Sequence, residues 1–247
     1  MIIADGCCGA GGGARGYVQA GHLVYGIDNR PELEADYLKS GAAGFLAMDI
    51  LEALAASWIS RADFIHVSPP CQFYSQMSRC RPDLAARYPD LIGPVRELLA
   101  ASGKPWIIEN VEEARAWMKD PVVLCGFQFG RPMYRHRLFE AGGGLVLAAP
   151  PAPPADIRPL AEAACAVLGF GAPERLAGRR GSCGWPHPIP AAKAGHWVPG
   201  KFVSVAGHER RGPVNEAMQI TWMRNRDDVK EAIPPCFTRY IGGLIGS

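Results

Sequence analysis

The chain has almost no charge imbalance: 26 lysines and arginines stand against 24 acidic residues, a formal net charge of +2. Any polyanion it binds must therefore be met by a local patch, because no global excess of positive charge is present. It has no apolar run approaching the roughly 18–20 residues of a membrane-spanning helix. The amino terminus enters strand-like sequence at once, with Met1-Ile2-Ile3 where a leader would need a charged and then a long apolar stretch. No membrane association and a cytoplasmic location are expected. The eight cysteines include no C-x-x-C pair, and the six histidines lack zinc-finger spacing. Reduced thiols and no structural metal are the expectation. Internal repeats are absent as well.

What is present is ordinary globular material, 48% hydrophobic and 20% charged over 247 residues. That length suits one α/β domain, or one with a small insert. Residues 2–5, 23–28, 45–47, 64–67 and 106–109 read as strands, and residues 122–124 and 138–140 as later ones. Helical segments intervene, one ending near Ala20-Gly21, one begun by Pro31 and one passing through Val95-Arg96-Glu97-Leu98-Leu99. This alternation predicts a parallel sheet flanked by helices. After about residue 142 the rhythm stops, and Pro150, Pro151, Pro153 and Pro154 read as a stiff linker. Residues 146–212 are then a small loop-rich lobe with a basic second half. Helical patterning resumes over 215–223 and 237–244, in a carboxyl-terminal part, 213–247, that should pack back on a first domain of residues 1–145.

Each of the first five strands ends on polar or special residues: Asp5 with its glycines, Asp28, Asp49, Cys71, and Glu109-Asn110. One rim of an open sheet collecting all five implies a single crevice. Glycines in Asp5-Gly6-Cys7-Cys8-Gly9-Ala10-Gly11-Gly12 would let a ligand approach the backbone between strand and helix. The spacing Gly9-x-Gly11-x-x-Ala14, with Asp28 for ribose hydroxyls, suits a dinucleotide or S-adenosylmethionine equally. Asp49 also fits a plain helix cap. Cys71, held on a rigid turn by Pro69 and Pro70, suits a thiolate nucleophile, which hydride transfer would not need.

Read together, these motifs resemble the cytosine-5 DNA methyltransferase family over nearly the whole chain, in the family's order. Gly9-Ala10-Gly11-Gly12 is similar to the cofactor loop, and Ser68-Pro69-Pro70-Cys71-Gln72 with Ser75 to the nucleophile loop. Glu109-Asn110-Val111 resembles the acid motif, Tyr134-Arg135-His136-Arg137 the arginine motif, and Ala232-Ile233-Pro234-Pro235 the closing motif. A compact phage-type or actinobacterial solitary enzyme is the nearest likeness. The resemblance implies a Rossmann-like class I S-adenosylmethionine-dependent methyltransferase sheet with a small recognition lobe. It implies transfer of a methyl group to C5 of a flipped-out cytosine through a covalent bond from Cys71 to C6.

In that scheme Cys71, Glu109, Arg135 and Arg137 are catalytic, the two arginines facing one way along a strand. Asp5, Cys7, Cys8, Gly9, Ala10, Gly11, Gly12, Asp28, Asn29, Asp49, Ile50, Pro70, Glu231 and Ala232 hold S-adenosylmethionine. Gln72, Ser75, Arg179, Arg180, Lys193, Arg210 and Arg211 meet double-stranded DNA, and a monomer is expected. Departures stand at Cys7, where phenylalanine is usual, at Met133 for glutamine, and at Lys230-Glu231 for Gly-Asn. Glu231 leaves a modified sulfonium donor open. An RNA cytosine-5 methyltransferase of the tRNA-directed branch, a non-catalytic DNA-binding module and an NAD oxidoreductase remain alternatives.

Overall fold

The computed structural model describes residues 1–74, 88–151, 156, 158–166, 183, 203–205 and 213–246. Its centre is a seven-stranded sheet of order β3-β2-β1-β4-β5-β8-β6. The strands are β1 (Ile2–Gly6), β2 (Leu23–Asp28), β3 (Gly44–Ala47), β4 (Phe64–Val67), β5 (Trp106–Asn110), β6 (Val122–Cys125) and β8 (His136–Gly142). β1 to β5 pair in parallel, while β8 runs antiparallel between β5 and β6. A short β7 (Met133–Tyr134) pairs in parallel with β9 (Val203–Ser204).

Alternation along the strands explains the layering. Ile3, Phe64 and Ile107 point to one face, where they meet Tyr17 of α1 (Gly12–Gln19) and Phe237 and Ile241 of α8 (Pro235–Ile245). Their neighbours Ala4, Ile65 and Ile108 point to the other, against Leu54 of α3 (Ile50–Ala55) and Val95 and Leu99 of α4 (Ile92–Ala101). β4 and β5 are buried along their entire length, as strands covered on both faces must be. Each large aliphatic or aromatic side chain so buried stabilises the fold by about 1.5–3 kcal/mol.

The seven sheet strands lie where the sequence places them, with ends shifted by up to two residues. Three helical features differ. The pattern over 215–223 forms only α6 (Val214–Met218), stopped by Gln219 in the left-handed region at φ 60°. α7 (Arg226–Glu231), capped by the Asn225 side chain onto the Asp227 N–H at 3.0 Å, follows it. Within the lobe read as loops, α5 (Arg158–Ala166) buries Ala161, Ala164 and Cys165 against Cys125 and Phe127. α2 (Glu34–Leu38) follows a single 3-10 turn opened by Pro31.

Candidate active site

The chain switches direction between β1 and β4, and the carboxyl ends of β1, β2, β4 and β5 open there onto a cleft of about 620 Å³. That volume lies within the range of small-molecule sites. Asp5, Cys7, Cys8, Gly9, Ala10, Gly12, Asp28, Asn29, Asp49, Ile50, Pro70, Glu231 and Ala232 all line it. Gly11 is the exception: with φ 87°, it faces Ser40 and the Tyr37 carbonyl, so it turns the loop and does not face a ligand. A Cβ on Gly12 would come within 2.6 Å of the Ile233 carbonyl, so glycine there admits the closing segment. Cys7 holds the left-handed region at φ 53°, a strained choice for a side-chain-bearing residue and one that clusters at functional sites.

Asp28 ties the glycine loop to β2. One oxygen accepts the Gly9 N–H at 2.9 Å, and the other accepts the Arg30 backbone N–H at 3.1 Å and its Nε at 3.2 Å. Arg30 in turn lies 3.6 Å from Glu231, whose second oxygen accepts Gln72 Nε2 at 3.2 Å. Gln72, expected on DNA, is thus joined to Glu231 at the rim. Asp49 caps α3, accepting the Leu51 and Glu52 N–H groups at 2.8 and 3.4 Å, while still lining the cleft. Burial pushes the Asp5 carboxyl up to about 8, partly offset by the Tyr37 hydroxyl that donates to it at 3.2 Å.

At the other end, Cys71 opens a 3-10 turn, Cys71–Phe73, behind Pro70. Asn110 holds that approach: its Nδ2 donates to the Pro69 carbonyl at 3.0 Å and its Oδ1 accepts the Val111 N–H at 2.9 Å. Cys71 lines the cleft together with Glu109 and Arg137. Glu109 is 5% exposed, and its Oε1 lies 2.9 Å from Arg137 Nε in an ion pair that is not a well-directed hydrogen bond. Burial raises Glu109, with Arg137 and then Arg135 pulling it down. Burial also raises the Cys71 thiol; Arg137 opposes the rise and Glu109 adds to it.

Arg135 does not share this placement. The strand breaks at Arg135, and its guanidinium donates to the carbonyls of Val205, Lys230 and Ala232 at 3.1, 2.5 and 2.7 Å. It is 4% exposed and is not among the residues lining the cleft. Burial and then Arg137 pull it well below the ordinary arginine value. It clamps the closing segment to β7 and β9, leaving Arg137 as the guanidinium in the cleft.

A buried polar line that the sequence did not reveal runs from Tyr17 to Ser68. The Tyr17 hydroxyl meets His66 Nδ1 at 2.9 Å and Ser68 Oγ meets His66 Nε2 at 3.1 Å, while Ser68 lines the cleft with Glu109 and helps to pull its carboxyl down. Burial holds His66 down to about 3, so it is neutral. Inside an apolar strand, nothing marked His66 as more than a core residue. Ser75, Arg179, Arg180, Lys193, Arg210 and Arg211 lie outside the described residues.

Among solved structures, a candidate DNA modification methyltransferase encoded within an E. coli prophage superposes over 100% of both chains with a TM-score of 0.62 at 16% identity. The fold is that of the Rossmann-like S-adenosylmethionine-dependent methyltransferases. The Dnmt2 methyltransferase of S. pombe matches with a TM-score of 0.40 and 19% identity, over 57% of this chain and 48% of that one. In sequence, the type II methyltransferase M.AgeI of Thalassovita gelatinovora is 28% identical over 168 residues, 58% of this chain and 39% of that protein. The chain therefore spans about two fifths of that relative's length. No protein-family model matches.

Proposed function

We propose that the chain is an S-adenosylmethionine-dependent DNA methyltransferase acting at C5 of cytosine, with Cys71 as nucleophile. One observation carries the reading: a thiol, a buried carboxyl and an arginine share one end of a cleft whose other end is a glycine loop and a strand-end carboxylate. The cofactor end suits S-adenosylmethionine. Asp28 offers a carboxylate for ribose hydroxyls, Asp5 a buried carboxyl for an ammonium group, and the loop has no side chain at Gly9 to obstruct a ligand. When bound, S-adenosylmethionine supplies an electrophilic methyl group.

The chain's own groups make cytosine able to accept it. A base must leave the stack to reach a cleft this deep. The Cys71 thiolate adds to C6, forming the Sγ–C6 bond and moving the C5–C6 π electrons toward C5. Glu109, raised by burial, carries a proton to N3 and so offsets the negative charge that the thiolate brings into the ring. Arg137 steadies Glu109 and lowers the thiol. Loss of the C5 proton after methyl transfer returns the Sγ–C6 electrons to sulfur and frees the thiolate.

Duplex containing 5-fluorocytosine tests this, because fluorine at C5 cannot leave as a proton does. Wild-type protein with S-adenosylmethionine should form a denaturant-resistant adduct, and Cys71→Ala should form none. An adduct with Cys71→Ala would exclude Cys71. Methyl label found on an exocyclic amine would exclude C5 chemistry, and label entering tRNA in preference to duplex would make the substrate RNA.

A further inference from the structure

Outside the cleft, the fold assembles a second set of soft ligands. β6 ends on Cys125 and β8 begins at His136, and the sheet register sets these two residues directly opposite each other. Cross-strand partners have Cβ atoms about 4.5–5.5 Å apart, so two side chains on one face meet. Cys183, which comes from the stretch between α5 and β9, completes the set, and the ligand atoms of all three lie within 4.8 Å of one another. His136 Nδ1 is 2.9 Å from Glu112 Oε2, which leaves Nε2 as the nitrogen for the thiols' side. A carboxylate on the far ring nitrogen is the arrangement that fixes tautomer and orientation in metal-bound histidines. Phe127, Ala161 and Leu160 form an apolar jacket around the thiols.

We propose that Cys125, His136 and Cys183 bind one Zn²⁺, with a solvent molecule as the fourth ligand of its tetrahedron. Two thiolates and an imidazole are the donors that favour a borderline-soft ion with no geometric preference of its own. Binding releases the two thiol protons, and the proton on His136 Nε2, to solvent and involves no change of oxidation state. None of the three residues is among those lining the cleft, so the ion's work is mechanical. It fastens residue 183 to the edge of the sheet. It also grips β8 at its first residue, next to Arg137, whose side chain leaves the strand on the other face. The assignment does not depend on the methyl-transfer reading, because its measurements record metal and not turnover.

The full chain, purified under reducing conditions from zinc-replete cells, should carry about one zinc by elemental mass spectrometry. Replacement by Co²⁺ should give tetrahedral visible bands with thiolate-to-metal charge transfer. Cys183→Ser should lose the ion and the charge-transfer band, whereas Cys165→Ser, which changes a thiol of the same apolar cluster outside the ligand set, should retain both. Should Cys183→Ser fail to fold, Glu112→Gln keeps all three ligands and should weaken zinc about 10–100-fold in chelator competition. Protein that takes up neither ion with thiolate bands would overturn the proposal. So would a Cys125–Cys183 disulfide in the reduced preparation, equal zinc in Cys183→Ser, or unchanged affinity in Glu112→Gln.

Discussion

At the scale of single residues, Cys71 and Glu109 are set against each other. Both are raised by burial, and each is acted on by Arg137, which lowers both. The thiolate is the reactive form, so turnover should climb as pH rises toward the elevated Cys71 value. Glu109→Gln removes a negative neighbour from the thiol and a proton donor from N3. The rising limb should then move to lower pH, while the plateau rate falls by about two or more orders of magnitude. Alkylation of the Cys71 peptide followed against pH reads the first effect without substrate, and single-turnover methyl transfer reads the second. A limb that moved upward would mean that Glu109 does not face the thiol. Near-normal turnover would make Glu109 structural.

Between elements, the packing of α1 on α8 decides where the glycine loop sits. Gly16 lies so close to the Pro235 carbonyl and Thr238 Oγ1 that a Cβ has no room, and Thr238 Oγ1 also donates to the Gly13 carbonyl at 2.7 Å. Gly16→Ala should therefore cost about 1–3 kcal/mol in denaturant unfolding. Gly243→Ala, on α8 with open space around it, should change stability far less. Equal losses would show that the helix pair tolerates separation. This contact was not legible in the sequence, whose glycine-loop reading stops short of Gly16. The strands were legible, since unbroken apolar runs such as Phe64-Ile65-His66-Val67 admit little else. Arg135 misled for a local reason: alternation holds only while a strand continues, and the break beside it gave its guanidinium three carbonyls to satisfy. The Cys125–His136 pairing arises from strand register, and no spacing along the chain encodes register.

For the molecule as a whole, two buried groups give stability opposite pH slopes. Asp5 has its folded pKa raised from 3.8 to about 8, so the folded state holds the extra proton between those values. Its contribution weakens stability as pH rises from about 4 to 8, with a slope of at most about 1.4 kcal/mol per pH unit. His66, lowered from 6.5 to about 3, acts the other way: stability is lost as pH falls through that window, because the unfolded chain takes up the proton. Denaturant unfolding of ligand-free protein should show the decline between about pH 6.5 and 8, where His66 no longer offsets it, and Asp5→Asn should remove most of it. A variant with the wild-type slope would place the titrating group elsewhere. The convergence of strand ends on one rim could be read from the sequence, whereas these shifts could not, because they depend on how completely the neighbouring layers exclude water.

The bridge from Arg30 through Glu231 to Gln72 joins the cofactor turn to the nucleophile turn across the mouth of the cleft. Small molecule and base would then use a common doorway, and whichever enters first alters the door for the second. Their arrivals should be ordered in time. If the chain methylates DNA as proposed, spent donor should then be slow to leave while a strand is still threaded, so that successive turnovers on one DNA molecule are limited by exchange at this latch and not by bond making.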